Sequence, residues 1–368
     1  MPLRPPARPA APTRLTALTR HAALTRLTAL TRRAAFTRRA ALTRLTALAW
    51  LTALTRRAAL ARRAALTRRA ALTRRAALTR RAALALAAAL VLTTASPASV
   101  TASPEPRDYV ALGDSFASGP LIPFQRTDPL GCFRSTRNYA ALVAADLGAR
   151  LTDVTCGGAT TRHLTEPQDV LLGPNPPQLD ALRPGTDLVT VTIGGNDVGF
   201  GEIITNCAQD SLLDPLGNPC TRRYTANGTD ELAARVEALG PKLAAVLQGI
   251  RQRAPGAHVV VVGYLRILPP AHGCWPLVPI SVGDVPYLDA TERRLNAELG
   301  ARAAEAGAAF VDPYPSGLGR DVCQLPGVKW VEGLVPTAPA APVHPNAAGM
   351  RAVADLITAS LGQDHTFR

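Results

Sequence analysis

Five short apolar runs punctuate the chain beyond residue 107: Tyr109–Leu112, Leu151–Thr155, Leu188–Ile193, His258–Val262 and Ala308–Val311. Each is short and, Leu151-Thr152-Asp153-Val154-Thr155 apart, almost continuously apolar, and each reads as a buried strand. Between and after them, apolar residues recur at helical spacing over Asn138–Leu147, Thr229–Arg253, Tyr287–Ala306 and Ala347–Leu361. Strands alternating with helices predict an α/β fold, a parallel sheet covered on both sides. Pro- and Gly-rich segments at 119–135, 207–228, 264–286 and 313–343 read as long loops. Loops of that length are usually functional or pinned.

Residues 13–84 follow a different pattern, close to Thr-Arg-Arg-Ala-Ala-Leu repeated twelve times. A six-residue step turns a helix by about 240°, so successive leucines fall on three faces and no apolar stripe forms. The array runs into Arg80-Arg81, then the apolar stretch Ala82–Thr94, then Val100-Thr101-Ala102. Positive, hydrophobic and small-residue cleavage regions in that order make a secretory signal, with a core too short for a membrane span. The expectation is therefore a repeat leader plus signal peptide over 1–102, removed on export, and one folded, extracellular domain over 103–368.

Charge agrees with this division. The formal net charge of +14 suggests a nucleic-acid partner, but 20 arginines and no acid lie in residues 1–102. The rest holds 21 basic residues against 27 acids, so the folded part offers no basic footprint for nucleic acid. A basic arm for nucleic acid or anionic lipid is the competing reading of the array; its junction with an export signal weighs against it. All six cysteines, Cys132, Cys156, Cys207, Cys220, Cys274 and Cys323, follow residue 103. An even number downstream of a signal suggests three disulfides, with the pairing left open. No CxxC pair or His/Cys cluster supports a metal.

Four blocks carry candidate chemistry. Gly113-Asp114-Ser115 closes the first strand and offers a hydroxyl nucleophile. Cys156-Gly157-Gly158 follows the second, where glycine lets backbone N–H groups approach a ligand. Gly194-Gly195-Asn196-Asp197 follows the third, and Asn196 can donate from its amide. His344-Pro345-Asn346 precedes the last helix; proline at a helix start would hold the histidine at its entry, and histidine suits a general base near neutrality. Alone, each block also reads as an ordinary turn.

Jointly and in this order, the blocks resemble the SGNH (GDSL) hydrolase superfamily, most closely its secreted actinobacterial esterase/lipase branch, over roughly residues 107–361. The resemblance implies a flavodoxin-like three-layer α/β/α sandwich with a five-stranded parallel sheet. It implies Ser115 as nucleophile and His344 as base. The Ser115 and Gly158 amides and the Asn196 side chain would form the oxyanion hole. It further implies the disulfides Cys132–Cys156, Cys207–Cys220 and Cys274–Cys323, no cofactor, an acyl-ester or lipid substrate, and a monomer without stable membrane insertion.

One position departs from the common pattern. Many members place an aspartate three residues before the histidine, where this chain has Ala341. We expect a Ser115–His344 dyad whose imidazole is held by the Ala341 carbonyl, with Asp312 as the reserve partner. Phe124, Phe200, Trp275 and Tyr287 are candidate liners of an apolar cleft. The rival to an enzyme is a catalytically inactive module of the same fold that binds acyl or glycan groups.

Overall fold

The computed structural model describes residues 106–363. The repeat array and the signal segment lie outside the described residues. Five strands appear where the apolar runs predict them: β1 Asp108–Gly113, β2 Arg150–Asp153, β3 Leu188–Thr192, β4 His258–Val262 and β5 Ala309–Val311. All are parallel, in the order β2-β1-β3-β4-β5. The chain steps outward from β1 in both directions, so β1 and β3 flank the topological switch point, where open α/β sheets form sites at the carboxyl edge.

Eight helices are described: α1 Ser115–Ser118, α2 Tyr139–Leu147, α3 Gly195–Val198, α4 Phe200–Ser211, α5 Pro219–Tyr224, α6 Glu231–Arg253, α7 Val285–Glu305 and α8 Ala347–Gln363. The ends of α2 and α6 follow their caps. Asn138 Oδ1 accepts from the Ala141 N–H and Asp230 Oδ1 from the Ala233 N–H, which satisfies amides that lack intrahelical partners. α2 packs on α8 and α6 on α7, and these two pairs cover the sheet. The central strands β1, β3 and β4 are buried almost throughout, whereas β2, expected to be buried, is largely exposed because it forms a sheet edge.

The 207–228 segment is a correction, because α4 and α5 occupy much of it. Phe200, Ile203, Ile204, Cys207 and Ser211 form an apolar stripe at helical spacing, and a bond from Cys207 to Cys220 joins the two helices. The other cysteines also pair with sequence neighbours, Cys132 with Cys156 and Cys274 with Cys323. The first pair ties the 119–135 loop to the end of β2. The last ties the 264–286 loop to the segment leading to His344.

Candidate active site

β1 ends in Gly113, whose φ is +142° and where a Cβ would collide with the Thr192 carbonyl of β3. Only glycine fits that close approach. The Gln178 side chain clasps the same residue, accepting from the Gly113 N–H at 2.7 Å and donating to its carbonyl at 3.0 Å. Asp114 then caps α1 by accepting from the Phe116 N–H at 2.9 Å, and Ser115 opens that single turn.

Ser115 Oγ lies 2.8 Å from His344 Nε2, across 229 residues of sequence. His344 Nδ1 lies 2.7 Å from the Pro342 carbonyl oxygen. A carbonyl only accepts, so Nδ1 carries the proton and Nε2 presents its lone pair to the serine hydroxyl. The acceptor is therefore Pro342, not Ala341. Val343 sits at φ +58°, a strained setting for a β-branched residue, and curls the Pro342 carbonyl under the ring. The Ala341 carbonyl is engaged by the His344 backbone N–H at 3.3 Å. Asp312 takes no part; its carboxylate accepts from the Tyr314 N–H.

The histidine segment is held from behind. The Glu332 N–H donates to the His344 carbonyl at 3.0 Å. The buried Glu332 carboxylate accepts from Asn346 Nδ2 at 2.8 Å and from the Thr337 N–H at 2.7 Å. Asn346, rather than Pro345, caps α8, accepting from the Ala348 and Gly349 amides. Burial alone would raise the Glu332 pKa, but these hydrogen bonds and nearby Lys329 bring it below the usual carboxylate range. Burial pushes the His344 imidazole below its ordinary value, a shift the Pro342 carbonyl opposes.

The glycine turns flank the dyad because β2, β1 and β3 are neighbours. Gly158 has φ +77°. The adjacent Gly157 N–H is used by the Cys132 carbonyl and the Ala159 N–H by the Cys156 carbonyl. Among the described residues, the N–H groups of Ser115 and Gly158 have no acceptor. Asn196 spends one amide hydrogen on the Ala159 carbonyl at 2.8 Å, which leaves its second.

Tyr264, which no motif marks, ties the first block to the third. Its hydroxyl donates to Asp114 Oδ2 at 2.6 Å and accepts from the Gly195 N–H at 2.7 Å. Burial raises the Asp114 pKa to about 7 despite those hydrogen bonds.

Of the candidate liners, only Phe200 reaches the site. Its ring meets His344 edge-on at 6.1 Å and Phe116 at 5.8 Å. Phe124 points into solvent, Tyr287 donates to Asp230 between α6 and α7, and Trp275 is half-buried in its loop. Behind Phe200 lies a cavity of ≈ 70 Å³ walled by α3, α4, α7 and the loop after β4.

The sequence matches the GDSL-like Lipase/Acylhydrolase family over residues 111–352. The chain belongs to that family. Lipase 2 of Streptomyces coelicolor is 43% identical to the chain over 276 residues, covering 74% of this chain and 91% of the relative. A Streptomyces scabiei esterase is 34% identical, covering 60% of this chain and 74% of the relative. Two solved structures agree in fold. Phospholipase A1 from Streptomyces albidoflavus gives a TM-score of 0.58 at 29% identity, covering 69% of this chain and 99% of that one. The extracellular lipase of Streptomyces rimosus gives 0.57 at 32%, with the same coverage. This GDSL-like chain is a carboxylic ester hydrolase of the esterase/lipase type.

Proposed function

We propose that the chain is an exported serine esterase/lipase that cleaves acyl esters, lipid esters among them, through an acyl-enzyme on Ser115. The observation that carries this reading is the 2.8 Å contact between Ser115 Oγ and His344 Nε2, with Nδ1 held by a carbonyl. His344 takes the Ser115 proton as the oxygen attacks the ester carbonyl, forming the tetrahedral intermediate. The Ser115 and Gly158 amides and the free hydrogen of Asn196 receive its oxyanion, each such donor being worth roughly 3–4 kcal/mol. His344 then protonates the departing alcohol. Water, deprotonated by His344, attacks the acyl-enzyme and releases the acid.

A fluorophosphonate probe tests the reading directly. Labelling of Ser115, lost in Ser115→Ala together with at least ~10³-fold in turnover, supports it; an unlabelled wild-type protein refutes it. The same proposal has residues 1–102 removed on export and the mature enzyme monomeric. A mature N-terminus near residue 103 and a monomer mass in sedimentation are the expected results. Among the described residues no helix is long and apolar enough to cross a membrane.

A further inference from the structure

The cavity behind Phe200 is apolar on most of its wall, with Val198, Ile203, Ile204, Leu288 and Leu295 among its lining residues. Phe200 also lines it, and since that ring meets His344 at 6.1 Å, the cavity lies one ring away from the dyad. Its polar groups are nearly all engaged. The Tyr264 hydroxyl serves Asp114 and Gly195, and Thr291 Oγ1 donates to the Tyr287 carbonyl. The exception is Glu292 on α7. Its Oε2 accepts from the Ile267 N–H at 3.1 Å, while Oε1 is buried and has no hydrogen-bond partner among the described residues.

Arg266 is the nearby counter-charge and its Nε is likewise buried without a partner, but no hydrogen bond joins it to that oxygen. Arg266 pairs with Asp289 at 2.9 Å and lies over the Tyr314 ring, and Asp312 caps the Tyr314 N–H. A buried oxygen without a partner costs free energy unless something fills the role.

We propose that this cavity takes the acyl chain of the substrate and that Glu292 selects chains carrying a hydroxyl or oxo oxygen. The inference rests on the ester-hydrolase reading and specifies its acyl side. Burial pushes the Glu292 carboxyl well above the usual carboxylate range; the Ile267 N–H pulls it down, the charge of Asp289 adds to the rise and that of Arg266 opposes it. A carboxyl accepts from a hydroxyl in either charge state and, when protonated, also donates to an oxo oxygen. The rest of the chain lies against the aliphatic wall.

The test compares p-nitrophenyl esters of straight-chain acids with esters of the same length whose hydroxyl is moved along the chain. For wild type, kcat/KM for at least one hydroxy isomer exceeds that of the plain ester by about five- to tenfold. Glu292→Leu abolishes the preference, and Glu292→Gln, which keeps a donor and an acceptor, retains most of it. A wild type that favours no isomer overturns the proposal. So does a preference that survives in folded Glu292→Leu, as it would if a water joined Glu292 to the unpartnered Arg266 Nε. Should Glu292→Leu fail to fold, the wild-type isomer scan still decides. Failure of the parent reading is distinct: no ester is hydrolysed and Ser115 takes no phosphonate.

Discussion

Protonation at two buried residues shapes the site. His344 sits below the ordinary histidine value because burial disfavours the imidazolium. The acid limb of kcat/KM is therefore expected below about pH 6.5, measured on a soluble ester across pH 4–9. Asp114 shows the opposite effect on stability. Its pKa is about 7 in the folded chain, against about 4 when unfolded. Between those values the folded state holds a proton that the unfolded state has released, so this group's contribution declines as pH rises from about 4 to 7. Thermal melts of Asp114→Asn, which cannot ionise, should follow a flatter profile over that window. Tyr264→Phe removes the hydroxyl joining Asp114 to Gly195 and leaves a buried N–H unpaired. It is expected to cost about 1–3 kcal/mol in denaturant unfolding and to lower kcat. Ser115, Asn196 and His344 were legible in the sequence because reactive residue types stood in glycine- or proline-marked turns. Gln178 and Tyr264 were not, since their roles exist only once distant strand ends meet. Nor could spacing tell the Pro342 carbonyl from that of Ala341, because the choice depends on the dihedral of Val343.

For the elements, the apolar runs located all five strands and the helical spacing located α2, α6, α7 and α8. Composition misled over α4 and α5. Pro215, Gly217, Pro219 and Gly228 read as loop punctuation, and these short helices owe their stability to packing and the Cys207–Cys220 bond rather than to propensity. The Cys132–Cys156 bond joins two segments that border the site, and the Cys132 carbonyl also takes the Gly157 N–H at 2.9 Å. Replacing both cysteines by serine is expected to lower stability by about 2–4 kcal/mol. Because the turn bearing Gly158 loosens, kcat should fall more than KM changes. Steady-state kinetics beside denaturant melts separate the two effects.

In the whole molecule, strand order was not readable from patterning, since identical apolar runs satisfy several parallel arrangements; it came with the family resemblance. The observed order places the turns after β2, β1 and β3 side by side, while the last loop delivers the histidine from the far end of the chain. Charge was readable once residues 1–102 were set apart. A chain of residues 103–368 made in an oxidising compartment should melt cooperatively and match the full-length product in kcat/KM.

The main-chain grip on His344 has an evolutionary and a titrimetric consequence. An acceptor supplied by the polypeptide backbone survives any side-chain replacement at Pro342, so drift at that site can dull the base only by altering the local path of the chain. Nor does a peptide oxygen ionise in the working range. Loss of rate in acid should thus lack the inflection that an aspartate beside the ring could add, and Asp114→Asn separates any step due to Asp114 from that of His344.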